Sequence, residues 1–238
     1  MAVFSIQPTP LTIDSCSNCI LWMRPDLVNS DNMTFSANRL SAIKNLANNR
    51  VLINNGTTAN QPSTGLATIN GLNAIGFDND NNRWLNIGIP TTLTNFTIFV
   101  VVQQAVSATQ GMVFAGGSAI QVMRMSLNNQ GYSSTDGTTG LTLSTGVSVL
   151  TAPAIFAITA NASTSTRNLY KNSATIGATG SYDGSVTATF LGTATAGSGN
   201  ARGGFNLGET IIYNKALSDA EITTIMQYLS NRSGVILT

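Results

Sequence analysis

The sequence predicts an all-β sandwich of the jelly-roll kind, closed by one short C-terminal helix. Many short apolar runs of strand length alternate with Asn-, Gly- and Ser-rich turn chemistry, the pattern of a sandwich. The run Phe96–Val102 is apolar at every position but Thr97, as a strand buried on both faces requires. Apolar residues with helical spacing and matching caps follow Ser218.

Residues 1–15 read as an extended arm, since Pro8 and Pro10 disfavour both helix and central strand. Ile20-Leu21-Trp22-Met23 is the first core strand, broken at Pro25-Asp26-Leu27. Residues 29–70 are rich in Asn and turn formers, with apolar islands only at Ile43–Leu46 and Val51–Ile53. They read as long loops, the usual place for recognition. Asn70–Asp78 and Trp84–Ile87 read as two short strands around the polar turn 79–82. Met112–Phe114, Ile120–Met125 and Ala154–Ile158 continue the strand series. Leu169–Ile176 reads as a tight hairpin centred on Asn172-Ser173, and Val186–Leu191 alternates as one strand. A small-residue loop at 192–204 leads to a last strand, Phe205–Tyr213.

The helix signal is the most explicit in the chain. Leu217 stands as a hydrophobic staple, Ser218 as N-cap, and Glu221 three residues later completes a capping box. Ile222, Ile225, Met226 and Leu229 form one apolar face, and Gly234 terminates it. No linker or repeat divides residues 16–238, which are expected to form one domain.

Charged residues make up only 9% of the 238, against roughly 25% in ordinary globular domains. Amides and hydroxyls supply the polar surface instead, which suits an extracellular or particle-bound protein. The net charge is +1, and Arg39, Lys44 and Arg50 are the nearest approach to a basic cluster. No nucleic-acid footprint exists in such a pattern. No apolar run reaches the length needed for membrane insertion, and Met1–Pro8 does not read as a secretory signal.

The chain contains no histidine, which excludes Ser-His and Cys-His catalysis and His-based metal sites. Cys16 and Cys19 form a lone Cys-x-x-Cys without the second pair that a zinc site needs; free thiols, a local disulfide, and a redox or shared metal site all stay open. No cofactor is expected, with calcium as the one candidate ion. Its oxygen ligands would be Asp78, Asp80 and Asn82, or Asn128 and Asp136, all of them also ordinary turn residues. For a glycan, the exposed-aromatic candidates are Trp84, Tyr132, Tyr182 and Tyr228, with Asp183 beside Tyr182. Tyr132 lies in a Gly/Ser-rich stretch read as a loop, and Trp84 also fits a packed core position.

Taken in order, Ile20–Asp26, Asn70–Asp78, Phe96–Val101, Leu169–Ser173 and Glu209–Leu229 resemble the laminin-G-like jelly roll of the concanavalin A-like lectin and glucanase superfamily. The resemblance spans about residues 20–232. It implies a concanavalin A-like sandwich, core positions for Trp22 and Phe77, and a structural role for Glu209. Hydrolases of that superfamily carry paired acids on one strand. Here Ile211 and Tyr213 follow Glu209 at those positions, so the resemblance implies a binding or structural module and no enzyme.

The expectation is therefore a non-enzymatic virion surface protein: a capsid decoration, fibre or host-attachment module. Its partners would be capsid or tail proteins and copies of itself, with contact to a cell-surface glycan. The alternative is a carbohydrate-binding or adhesin module of a secreted, extracellular bacterial protein.

Overall fold

The computed structural model describes residues 17–53, 57–77, 83–87, 92–104, 110–115, 121–126, 131–135, 140–144, 152–182, 185–187, 190–192 and 204–238. Its strands in chain order are β1 Cys19–Met23, β2 Met33–Ser36, β3 Arg39–Lys44, β4 Val51–Ile53, β5 Ser63–Ile69, β6 Leu72–Phe77, β7 Leu85–Asn86, β8 Thr92–Leu93, β9 Asn95–Gln104 and β10 Gln110–Ala115. They continue as β11 Gln121–Ser126, β12 Gly131–Thr135, β13 Gly140–Ser144, β14 Ala154–Asn161, β15 Thr166–Lys171, β16 Ala178–Ser181, β17 Val186–Thr187, β18 Phe190–Leu191 and β19 Phe205–Tyr213. Among the described residues one α-helix, α1, covers Asp219–Ser233. The architecture is an all-β jelly-roll sandwich with a short C-terminal helix.

One layer is the antiparallel series β1, β19, β9, β14, β15 and β16. At its N-terminal end β19 also pairs with β6, and the ladder continues through β5 to the β2–β3–β4 unit. From β4 it passes through β7 and β18 into β10–β13.

The central strands are buried on both faces, which explains their continuous apolarity. Ile98, Val100 and Val102 of β9 pack with Leu21, Phe156, Ile158 and Ile212, and with Leu40, Ile43 and Leu52 of the facing strands. The alternate residues Phe99 and Val101 face a second core with Trp22, Ile155, Ala157, Tyr170 and Ile211. The helix roofs that core with Ile222, Ile225, Met226 and Leu229. Each such side chain contributes roughly 1.5–3 kcal/mol on burial, far more than helix propensity supplies. Thr97 is the polar exception within β9. Its hydroxyl donates to the Lys215 carbonyl at 2.9 Å and accepts from the Leu217 amide at 3.0 Å, fixing the entry to the helix.

At the helix start, the Ser218 hydroxyl accepts from the Glu221 amide, and the Glu221 carboxylate accepts from the Ser218 amide at 2.8 Å. Gly234 ends the helix in the left-handed region at φ +69°, donating to the Ser230 carbonyl. Asn70 then donates to the Ser233 carbonyl at 2.9 Å, and the Thr238 amide to the Asn172 carbonyl at 2.7 Å.

Several elements differ from the sequence reading. Residues 29–70 are not long loops throughout but carry β2 to β5, with only two residues between β2 and β3. Ala37 and Asn38 both have positive φ, as a two-residue hairpin turn demands. An exposed Phe35 in β2 and a half-buried Ala42 in β3 blur the apolar–polar alternation there. β6 pairs with β5 across the Asn70-Gly71 turn and with β19, while β7 joins β4 and β18. Asn172 does not centre a tight hairpin. Its side chain accepts from the Ile155 amide at 2.8 Å, and the chain resumes pairing only at Ala178. Val186–Leu191 is two strands, β17 on β8 and β18 on β7 and β10.

The capping box sets a testable acid response. The hydrogen bond from Lys215, then the Ser218 amide, hold the Glu221 carboxyl down at about 2, below its ordinary 4.5. A lowered folded-state value means its stabilisation is complete above about 4.5 and is lost as pH falls through about 2. Thermal melts of Glu221→Gln should therefore lie below those of the wild type near neutral pH, with the gap closing towards pH 2. Ser218→Ala should cost about 1 kcal/mol in urea unfolding.

Candidate functional site

Two polar constellations stand out, one buried and one open. In the first, Glu209 of β19 is 7% exposed and sits between β1 and the helix. Its Oε1 accepts from Trp22 Nε1 at 2.6 Å and from the Tyr228 hydroxyl at 2.8 Å, and its Oε2 accepts from Arg232 Nε at 3.2 Å. Arg232 also pairs with Asp26, which pairs with Arg24 at 2.8 Å. Burial raises the Glu209 carboxyl above the usual carboxylate range, and the Trp22 and Tyr228 hydrogen bonds and the charges of Arg232 and Arg24 offset that only in part. Burial and the Glu209 charge raise the Tyr228 phenol. Burial also pushes Asp26 up, yet its bond and charge contact with Arg24, with the Arg232 charge, leave it below the usual carboxylate range.

The cavity beside this chain of charges, bounded by Asp26, Glu209, Arg232 and the apolar Ile69, Leu72 and Val101, measures about 20 Å³. That holds about one water molecule and no sugar ring. Asp26 and Glu209 therefore serve as ion-pair partners of Arg232, not as an acid and base flanking a glycosidic bond.

The second constellation is a solvent-open groove of about 230 Å³ across β2, β3 and β4. Three local motifs shape it. The Asn29 side chain accepts from the Asp31 and Asn32 amides at 3.1 and 3.0 Å, an Asx turn that presents Asp31. The Lys44 amide donates to the Asn32 carbonyl at 2.7 Å, placing Lys44 beside that turn. Asn49, at φ +58°, turns the chain from β3 into β4 and stands at the third side. Ala42 and the 52%-exposed Val51 give the groove an apolar patch. The Asp31 carboxylate and Lys44 ammonium both line this groove, and neither has a partner among the described residues. Asn32, 6% exposed, donates to the Arg24 and Leu27 carbonyls, and its side-chain oxygen is buried without a donor.

The residues expected from sequence fall elsewhere. Tyr182 is not an exposed platform: it is 1% exposed, stacks edge-on against Phe96, and its hydroxyl donates to the Leu93 carbonyl at 3.2 Å. Trp84 is 9% exposed and belongs to the interior. Both rings are large apolar surfaces that the sandwich buries before a ligand can use them. Tyr132 lies in β12 opposite Met125 and Leu143, not in a loop; its ring is outside the described residues. Asp183, Asp78, Asp80 and Asn82, with Asn128, Asp136 and Cys16, are outside them too. Cys19 Sγ lies 3.4 Å from the Leu21 carbonyl. Among the described residues no three acidic, Cys or His side chains gather as a metal site. No helix among them is long and apolar enough to cross a membrane. The groove residues Asp31, Lys44 and Asn49 were missed; the run of turn-forming Asn and the sparse Arg39, Lys44, Arg50 cluster were the only signals.

No protein-family model matches the sequence, and no curated protein matches it. Solved structures do match the fold. The binding domain of Paraclostridial Mosquitocidal Protein 1 superposes with a TM-score of 0.62 at 16% identity, covering 92% of this chain and 54% of that one. The chain thus spans about half the length of that structure. Domain 4 of AbnA, a GH43 extracellular arabinanase from Geobacillus stearothermophilus solved with arabinotriose, gives 0.56 at 14% identity, covering 89% and 100%. A Trypanosoma rangeli sialidase in complex with the inhibitor DANA gives 0.59 at 11% identity, covering 93% and 35%. At these identities the likeness establishes the fold, a concanavalin A-like jelly-roll sandwich.

Removing the Glu209 carboxylate leaves the Trp22 and Tyr228 donors without their acceptor, while Arg232 keeps Asp26. Glu209→Ala is expected to lose about 2–4 kcal/mol in urea unfolding, the cost of leaving buried donors unsatisfied.

Proposed function

We propose that this chain is a non-catalytic carbohydrate-binding module. The observation that carries the reading is the whole-length likeness to domain 4 of an extracellular arabinanase, a structure solved with arabinotriose. The likeness to the binding domain of a mosquitocidal protein supports it, and so does an open polar groove on this chain. The cavity beside Asp26 and Glu209, with room for one water, agrees with binding without turnover.

The main expectation from the sequence was the exterior of a virus particle. The neighbours' descriptions favour the other expectation, a module of a secreted protein with an extracellular location. The uncharged, amide-rich surface suits both places equally, so it does not separate them.

A printed array of neutral and acidic oligosaccharides tests the reading. Saturable retention of the protein on a defined glycan, with the glycan recovered intact by mass spectrometry, is the expected result. No retention on any glycan, together with saturable binding to purified capsid or tail proteins, would return the virion reading.

A further inference from the structure

We propose that the groove across β2, β3 and β4 is the glycan site, and that it takes a single unit of a neutral oligosaccharide. The proposal rests on the carbohydrate-binding reading and adds the place and the ligand class. The groove offers one acceptor-only carboxylate, Asp31, and one donor-only ammonium, Lys44, with no ion pair among the described residues consuming either. Sugar hydroxyls donate and accept together, so adjacent hydroxyls satisfy both groups at once. Asn49 adds an amide with both functions.

The floor suits the same ligand. Ala42 and Val51 present small apolar surface to the C–H face of a sugar ring. An exposed Val in a polar groove is otherwise apolar area left in water. The volume, about 230 Å³, lies below the roughly 300–1,000 Å³ of pockets for drug-sized ligands, so one unit fits and the rest of the chain extends into solvent.

Charge decides between neutral and acidic sugars. Lys44 would attract a carboxylated sugar, but Asp31 in the same groove repels it, and the lining carries no second cation. The three local motifs hold these groups on backbone hydrogen bonds that do not involve the Asp31 or Lys44 side chains. Either side chain is therefore replaceable with those backbone bonds kept, at the exposed Asp31 and the half-buried Lys44 alike.

Calorimetric titrations with arabinotriose, the strongest neutral glycan from the array, sialyllactose and free alanine form the test, on the wild type, Asp31→Ala, Lys44→Ala and the double variant. Unchanged melting temperatures confirm that each variant is folded. The expected result is neutral-glycan binding that weakens about tenfold in each single variant and further in the double one, with little dependence on salt. Neutral-glycan binding that stays within about twofold in the double variant would move the site elsewhere and overturn the proposal, while leaving the carbohydrate-binding reading intact. A preference for sialyllactose that high salt abolishes would overturn the neutral class. Competition by alanine, whose ammonium and carboxylate also match Asp31 and Lys44, would overturn the sugar assignment. A wild type that binds no glycan would sink both readings.

Discussion

The Glu209 carboxylate is the constraint on which the rest of the molecule depends. An ionised carboxylate in a nearly dry interior costs several kcal/mol in lost hydration unless donors surround it. Here three donors do, and they come from the first strand, β1, and from two turns of the helix. The Trp22 ring also meets Tyr228 edge-on at 6.2 Å, so apolar packing and hydrogen bonding select one arrangement. The strength of the arrangement lies in its specificity. A one-residue slip of β1 on β19 would turn Trp22 to the other face and leave the charge uncompensated.

The open groove inherits its position from that anchor. The Trp22 amide donates to the Asn45 side chain at 2.9 Å, and the Leu46 amide donates to the Trp22 carbonyl at 2.8 Å. Asn45 is itself 1% exposed and also donates to the Ile20 carbonyl. Strand β1 is thus bound on one side to the helix-capped layer and on the other to the turn between β3 and β4. Asp26 continues the connection, since it pairs with Arg232 in the helix and lies just before the Asx turn that presents Asp31. The polar groups on the surface are held by an unbroken line of bonds from the buried charge.

Legibility in the sequence followed burial. Strands β9, β14 and β19 were readable because both of their faces are covered, so every position carries the signal. The helix was readable because Ser218, Glu221 and Gly234 are local chemistry that no distant partner overrides. Strands β2 to β5 were not. Phe35 and Leu66 are exposed, Ala42 is half-buried, and the Asn-rich turns look the same in a hairpin as in a loop. The groove was lost with them, because its residues come together only through that hairpin pairing. Tyr182 misleads in the opposite direction: an aromatic beside aspartate and glycine reads as a surface platform until the fold closes over it, whereas Trp84 takes the packed position its sequence also allowed. Glu209 drew attention as one of two glutamates in the chain, but its partners lie 187 residues upstream and about 20 downstream.

The placement of β19 has a consequence for how the chain is made. This strand is the junction of the ladder, pairing with β1, β6 and β9, yet it occupies residues 205–213 of 238. During synthesis the first strand and the central strand β9 emerge long before the segment that joins them. Their edges and the second core stay open until β19 and the helix have followed. Closure then requires contacts of very long sequence separation, which fold slowly. Asn-rich polar turns and a β2–β3–β4 unit that pairs locally keep the waiting chain hydrated and partly ordered. In a cell, the interval between the ninth strand and the nineteenth is when this protein most needs protection from aggregation.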